Sequence, residues 1–462
     1  MKEYDAFLEK KHVLLEPSGI DIDISLLPSA LYEYQRDLVV WALRRGKAAL
    51  FTMTGTGKTM MQSAWAHCIS VHTGMPVLIF APLAVTRQTV LEASKFGITI
   101  KYVRNQEEVA PGVNIANYEM MHRFDPSKFS GIVLDESGIL KSFTGKIRTA
   151  IIEFARTIPY RLACTATPAP NDFMELGNHA EFLGVMSFTE MLATYFVHDG
   201  GDTSKWRLKG HAEGPFWEWL AQWGAFLVNP SDLGYSDEGF DLPALHTHEH
   251  VVSSPPSEGM LFATIAGDLS ERREARKASL TQRIDKCIEI VNGSRKPFMI
   301  WCGLNIESEM LASLIPGSVE VTGSDSDEHK EKAMLDFAAG KIEVLISKSK
   351  ICGYGMNFQA CADTAFVGLS DSFESLFQST KRFHRHGQKN EVNRHLIISE
   401  AEGSVLDNIK RKELDFMRMI NEMVTHTKKI NTDVIHGTFS QRDSYKNETK
   451  IIIPSWLKAE VV

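Results

Sequence analysis

The sequence predicts an α/β protein of two tandem lobes, each built on a parallel sheet, and three observations lead there. Short apolar, β-branched runs alternate with helical patterns twice over along 462 residues. The runs are continuously apolar, as strands covered on both faces are, not alternating as half-exposed strands would be. A glycine-rich turn also separates the first run from a helical pattern, as expected where a strand feeds a helix of an open α/β sheet.

In the first half, strands are expected at 47–51, 76–81, 98–103, 113–117, 131–135 and 161–165. In the second half they fall at 297–302, 319–322, 342–347, 364–368 and 395–399. Between the two sets, about 173–241, lies an aromatic-rich stretch with Trp206, Trp217, Trp219 and Trp223, half of the eight tryptophans. Leu242-Pro-Ala-Leu reads as the link to the second lobe, and the periodicity fades after Ile430. The expected division is an N-terminal extension 1–28, a first lobe 29–172, an aromatic-rich helical insertion 173–242, a second lobe 243–430 and a tail 431–462.

Composition narrows the class. Lys plus Arg number 50 and Asp plus Glu 58, so the net charge of −8 excludes a uniformly basic nucleic-acid coat but not a local basic groove. With 44% hydrophobic and 23% charged residues, the chain can bury sizeable cores and is not a disordered one. The six cysteines show no C-x-x-C spacing, so buried thiols are expected in place of a zinc ribbon or redox pair. The charged start, Met-Lys-Glu-Tyr-Asp, lacks the apolar core of a secretory leader, and no apolar run reaches membrane-span length. A cytoplasmic monomer without a membrane segment is expected.

The chemistry begins after the first strand, at Thr52-Met-Thr-Gly-Thr-Gly-Lys-Thr59, with a helix expected over 60–70. Glycines let backbone N–H groups converge on phosphate oxygens, and the helix N-terminus adds a favourable dipole. Thr54, Gly55, Thr56, Gly57, Lys58 and Thr59 would cradle the nucleotide, Lys58 neutralising the β- and γ-phosphates and the Thr59 hydroxyl reaching Mg²⁺. The strict pattern asks for glycine where this chain has Thr52. A chance glycine turn is the competing explanation.

The strand 131–135 ends in Asp135-Glu136-Ser137, at the sheet edge where α/β folds bind ligands. Asp135 could hold the Mg²⁺ that Thr59 touches, and Glu136 could orient or deprotonate the attacking water. Such a pair could also merely cap the next helix. Thr165-Ala-Thr-Pro168 places hydroxyls at the end of the next strand, or forms an N-cap and turn. Gln35, with a donor and an acceptor, could read an adenine edge. Arg382 and Arg385 are three apart in Gln378–Gln388 and share a helix face; guanidinium forks suit a γ-phosphate, although a solvated basic helix would also carry them.

In order, Tyr34-Gln35, Gly55–Thr59, Ala81-Pro82, Asn117-Tyr118-Glu119, Asp135-Glu136-Ser137, Thr165–Pro168, Gly353-Tyr-Gly-Met-Asn357 and Gln378–Gln388 resemble the motifs of a superfamily-two helicase ATPase. Gln378…Arg382…Arg385…Gly387-Gln388 resembles the Swi/Snf-like branch, and the compact length and Asp-Glu-Ser variant resemble stand-alone phage or prophage members. Thr52, and Ala166 where Swi/Snf-like members usually carry glycine, depart from the pattern. The resemblance spans about 31–399 and implies two RecA-like lobes with ATP and Mg²⁺ in the cleft between them. It also implies that Arg382 and Arg385 enter the catalytic site from the second lobe, Arg385 favoured over Arg382 as the arginine finger, that Thr165, Thr167 and Gln378 couple hydrolysis to lobe movement, and that Gly353 and Gly355 help close the cleft.

The activity so implied is an ATP-dependent translocase or helicase on DNA, duplex favoured. An RNA helicase and an ATP-gated clamp that does not move are the rivals. No appended nuclease, methyltransferase or zinc domain is evident, so any cutting or targeting would come from a partner protein. Nucleic-acid contacts are expected at Arg87 and Lys141, and along Lys205-Trp206-Arg207-Leu208-Lys209, whose three cations would share one strand face; a solvated face over a Trp anchor fits that last segment equally well. The tryptophan-rich 216–223 stretch reads as core, and His246-Thr-His-Glu-His250 as a polar strand edge in preference to a metal site.

Overall fold

A computed structural model describes residues 15–141, 145–199, 202–253, 276–353, 356–370 and 372–435. In the first lobe β1 (Lys47–Thr52), β2 (Val77–Ala81), β3 (Ile100–Tyr102), β4 (Val113–Asn117), β5 (Gly131–Asp135), β6 (Tyr160–Cys164) and β9 (Gly224–Leu227) form one sheet, ordered β3-β4-β2-β5-β6-β1-β9. All neighbours are parallel. Helices α1 (Glu33–Arg45), α2 (Lys58–Thr73), α3 (Leu83–Ser94) and α4 (Lys146–Ala155) cover its faces. Strands β2, β4 and β5 are buried along their whole length, which explains their unbroken apolar character.

The second lobe holds β10 (Leu245–Val252), β11 (Phe298–Cys302), β12 (Val319–Val321), β13 (Val344–Ser347), β14 (Asp363–Val367) and β15 (Val392–Ser399), ordered β10-β15-β14-β11-β13-β12 and again parallel. Its helices are α8 (Leu280–Gly293), α9 (Asn305–Leu314), α10 (Asp327–Ala338), α11 (Ser349–Cys352) and α12 (Phe373–Thr380). The tandem α/β architecture is the one the sequence predicts. Strand ends differ by one to three residues for identifiable reasons. Pro76 and Pro297 have no N–H to give, so β2 and β11 start one residue later. β15 starts at Val392, ahead of His395, because β10 pairs with it along all eight residues.

The segment between the lobes contributes α5 (Leu176–Leu183), α6 (Phe188–Tyr195), the antiparallel hairpin β7 (Phe196–Asp199) and β8 (Asp202–Leu208), and α7 (Glu213–Ala221). It does more than pack beside the first lobe, since its last piece, β9, extends that lobe's sheet next to β1. Trp217, Trp219 and Trp223 are buried in the first lobe's core, as their helical spacing indicated.

The chain's last described element, α13 (Gly403–Ile435), is 33 residues long, roughly 50 Å at the usual rise per residue. Val405, Leu406 and Ile409 belong to the second lobe's core, whereas Phe416, Met419, Ile420 and Met423 belong to the first's. His426 stacks on Trp217 with ring centres 5.3 Å apart. One helix therefore straps both lobes together, and it continues five residues into the segment expected to be tail. Among the described residues no helix is long and apolar enough to cross a membrane. All six cysteines are buried and unpaired.

Candidate functional site

Because β6 lies between β1 and β5, the phosphate loop, the Thr165–Pro168 turn and the acidic pair leave the same sheet edge side by side. Gly55 and Gly57 have φ of 94° and 86°, a region open to glycine at no steric cost. Helix α2 begins at Lys58, two residues earlier than its apolar pattern indicates, with Gly57 as its cap. Lys58 Nζ donates to the carbonyls of Thr52 at 2.6 Å and Met53 at 3.2 Å. The departure at Thr52 is structurally employed: its hydroxyl accepts from Thr56 Oγ1 at 2.9 Å.

Gln35 is buried against this loop. Its Nε2 donates to the Thr56 carbonyl at 2.9 Å and its Oε1 accepts from Tyr32 N–H at 3.0 Å. Tyr34 donates to the same Thr56 carbonyl at 2.7 Å. The amide that the sequence offers to an adenine edge thus has the loop's backbone as its partner. A Cβ on Gly57 would lie 2.2 Å from Gln35 Nε2, so any other residue at 57 would displace the amide that holds Thr56.

At the end of β5, Asp135 is 5% exposed, and burial followed by the Glu136 charge pushes its carboxyl up to about 6. Glu136 has φ 54°, and among the described residues it is the non-glycine residue with a positive φ. Such a backbone costs roughly 1–2 kcal/mol, and it falls on the residue that follows the end of β5. Tyr118 donates to the Asp135 carbonyl at 2.7 Å, and Ser137 Oγ lies 3.1 Å from His179 Nε2. Burial holds His179 down to about 4, so it is neutral at physiological pH. In the neighbouring turn, Thr167 N–H donates to Thr165 Oγ1 at 3.1 Å.

From the second lobe, the turn after α12 reaches over the phosphate loop. The backbone nitrogen of His386 is 3.0 Å from where a Cβ on Gly55 would be, so Gly55 also permits this approach. Arg382 donates to the Gln378 carbonyl at 3.1 Å and to its Oε1 at 3.0 Å, which ties it back to α12. The two arginines do not share a helix face as their spacing suggests, because α12 ends at Thr380 and both lie in the turn that follows. Arg385 faces the first lobe: burial and Arg382 lower its pKa to about 10, while Glu92 and Glu136 raise it. Burial lowers Lys58 as well, and Glu136 and Asp135 act against it. Lys58, Asp135, Glu136 and Arg385 therefore share one electrostatic locus. Gln388 shapes the turn, donating from Nε2 to the Cys361 carbonyl at 2.9 Å and accepting from Lys389 and Asn390 N–H at 2.9 and 3.0 Å. Gly353 ends α11 where it meets α12: a Cβ there would sit 2.1 Å from the Ser349 carbonyl oxygen of α11 and 2.9 Å from Ser379 Oγ of α12. Gly355 lies outside the described residues.

Beside this locus a cleft of about 820 Å³ opens between the lobes, lined by Arg87, Glu92, Glu136 and Lys141 from one side and Lys330, Glu331, Asn357 and Glu374 from the other. Arg87 pairs with Glu331, and Lys141 with Glu374, across it. Of the expected nucleic-acid contacts, these two face the cleft. Arg207 and Lys209 belong to the hairpin and the turn after it, away from the cleft lining, and Lys209 Nζ donates to the Ala193 and Thr194 carbonyls at 2.8 and 3.0 Å. The Lys205 side chain lies outside the described residues. His246, His248 and His250 line the edge strand β10, paired with Glu391, Asn393 and His395. Among the described residues no group of three metal-ligating side chains is placed to hold an ion. Glu92, Glu331 and Glu374 carry no local motif signal; their relevance comes only from the packing of one lobe on the other.

A scan of protein-family models gives no match to the chain. No curated protein matches it either. Among solved structures, the chain is similar to the Sulfolobus solfataricus SWI2/SNF2 ATPase core in complex with dsDNA, at 17% identity, over 90% of this chain and 98% of that one, with a TM-score of 0.42. A superposition that loose assigns no family.

Proposed function

We propose that the protein is a nucleic-acid-stimulated ATPase that translocates along DNA, duplex favoured. The observation that supports this best is the shared electrostatic locus of Lys58, Asp135 and Glu136 from one lobe with Arg385 from the other. In this reading, water attacks the γ-phosphorus and gives its proton to Glu136. The bond to the β–γ bridging oxygen breaks, and ADP and phosphate leave. Lys58 exchanges its carbonyl partners for β- and γ-phosphate oxygens, and Arg385 stabilises the charge that develops on the transferring group. Asp135 would hold Mg²⁺ together with the Thr59 hydroxyl, since a buried carboxylate crowded by a second acid is a hard-oxygen ligand whose charge a divalent cation relieves. Bound there, the ion would neutralise charge on the β- and γ-phosphates.

Residues from both lobes must meet for the reaction, so hydrolysis and product release change how tightly the lobes hold each other. If each arrangement grips the sugar-phosphate backbone differently, one lobe advances past the other in each cycle. Duplex preference rests on the resemblance of Gln378…Arg382…Arg385…Gly387-Gln388 to the Swi/Snf-like branch. The test is ATP turnover alone and with duplex DNA, single-stranded DNA or RNA, with Lys58→Ala and Glu136→Gln alongside. Stimulation by duplex, absent in both variants, supports the proposal. Stimulation by RNA alone supports an RNA helicase, and no stimulation by any of them supports a clamp or the need for a partner protein.

A further inference from the structure

The crossing from β9 to β10 carries one aromatic side chain, Phe240, that touches both lobes. On one side it meets Tyr32 and Tyr34 edge-on, with ring centres 5.2 and 5.6 Å apart. On the other it stacks on the imidazole of His386, centres 4.9 Å apart and planes 26° from parallel. Tyr34 is the residue whose hydroxyl holds the Thr56 carbonyl of the phosphate loop. His386 is the neighbour of Arg385. A continuous series of contacts therefore runs from the phosphate loop through Tyr34, Phe240 and His386 to Arg385.

Within its own lobe the turn bearing Arg385 is held by Gln359 Nε2, which donates to the His386 carbonyl at 2.5 Å, by Gln388, which binds the Cys361 and Phe383 carbonyls, and by His384 Nε2, 2.8 Å from the Pro243 carbonyl. Across the cleft its backbone at His386 packs on Gly55, which limits how closely the turn approaches the phosphate loop but holds no side chain there. Arg385 Nε is buried without a hydrogen-bond partner, so the side chain has no bond of its own from that atom to fix its reach. Phe240 supplies what those contacts lack, an apolar face on the first-lobe side against which the imidazole seats.

We propose that Phe240 is a positioning residue, which through its stack on His386 sets the turn carrying Arg385 over the phosphate loop. The proposal rests on the ATPase reading above and adds to it a role for the interlobe crossing. An aromatic pair of this geometry is worth enough for about a three- to tenfold effect on a rate. The stack acts on the transferring phosphate through Arg385, so kcat should respond and KM for ATP should not.

The test is steady-state ATP turnover of the full chain with saturating duplex DNA, for wild type, Lys58→Ala, Phe240→Leu, Phe240→Tyr, His386→Ala and the Phe240→Leu/His386→Ala double variant. Phe240→Leu and His386→Ala should each lower kcat about three- to tenfold with KM for ATP within about twofold, and the double variant should lose no more than either single one. Phe240→Tyr, which keeps the ring, should restore kcat. A raised KM with unchanged kcat would overturn the proposal by making Phe240 a contact to the base, and additive losses would overturn it by uncoupling the two rings. Should Phe240→Leu fold poorly, His386→Ala against wild type decides alone. Wild type without Lys58-dependent turnover would defeat the ATPase reading itself, and the positioning role with it; unchanged kcat in both single variants would defeat the positioning role only.

Discussion

Asn357 of the second lobe donates from Nδ2 to Oε1 of Glu92 in the first at 3.1 Å, a hydrogen bond that crosses the cleft beside Arg385. With the Arg87–Glu331 and Lys141–Glu374 pairs it makes three polar ties between lobes at the same opening.

Those carboxylates sit where phosphates of a nucleic acid in the cleft would compete for the same cations. Arg87 is about half exposed and Lys141 40%, so each pair is weak and open to exchange. The Glu331→Gln/Glu374→Gln double variant is expected to bind duplex DNA about three- to tenfold more tightly at low salt, two freed cations acting on phosphate. Fluorescence anisotropy across a salt series checks this. Unchanged affinity would mean that DNA does not meet Arg87 and Lys141.

Gly57→Ala should abolish turnover while leaving most of the fold intact. The new methyl would push the Gln35 amide off the Thr56 carbonyl and hold φ near 86° at a steric cost, so the loop loses both its brace and its conformation. Equilibrium binding of ATP should weaken by about tenfold or more, the effect of displacing a phosphate-cradling loop by even a fraction of an ångström. A thermal shift with and without nucleotide separates lost binding from lost folding.

Much of this arrangement was legible in the chain itself, and the exceptions have physical causes. β2, β4 and β5 are buried on both faces, and the same burial leaves an apolar run that can be read directly. The loop around Lys58 and the pair Asp135-Glu136 announce themselves because their chemistry needs fixed local spacing. β9 escaped notice because Gly224-Ala-Phe-Leu is short and follows a tryptophan-rich helix whose core signal extends over it. For α13 the amphipathic pattern gives a buried face but not its partners, which turn out to be two different cores. Gln35 shows the same limit at one side chain: its amide was recognisable, but its bonds to Thr56 and Tyr32 depend on how α1 meets the loop.

Arg283 and Glu307 form a fully buried ion pair at 2.5 Å in the second lobe, where Glu307 also accepts from the N–H groups of Gly303 and Leu304 at 2.8 Å each. Glu307→Ala leaves the guanidinium unpaired away from water and uncaps α9. It should destabilise the second lobe by about 3–5 kcal/mol, read as a lower urea midpoint. A change below about 1 kcal/mol would show that water reaches Arg283.

Glu175 links stability to pH. Burial raises its carboxyl to about 7, even though Asn171 donates to it from N and Nδ2. Its folded value lies above the unfolded one, so its contribution to stability is complete below the unfolded pKa and is lost as pH rises through about 7. Glu175→Gln cannot titrate, and should reduce the loss of stability between about pH 5 and about pH 8 by roughly 1–3 kcal/mol. Urea midpoints of both proteins at the two pH values measure the difference, and parallel pH profiles would contradict it.

Arg385→Ala decides whether one lobe completes the other's catalytic centre. The measurement is single-turnover hydrolysis of ATP with saturating duplex DNA, with nucleotide affinity determined on the same samples. The rate should fall about 10³-fold below wild type, the least an arginine finger usually contributes, with ATP affinity nearly preserved. A variant that hydrolyses ATP at the wild-type rate would show that the first lobe acts alone.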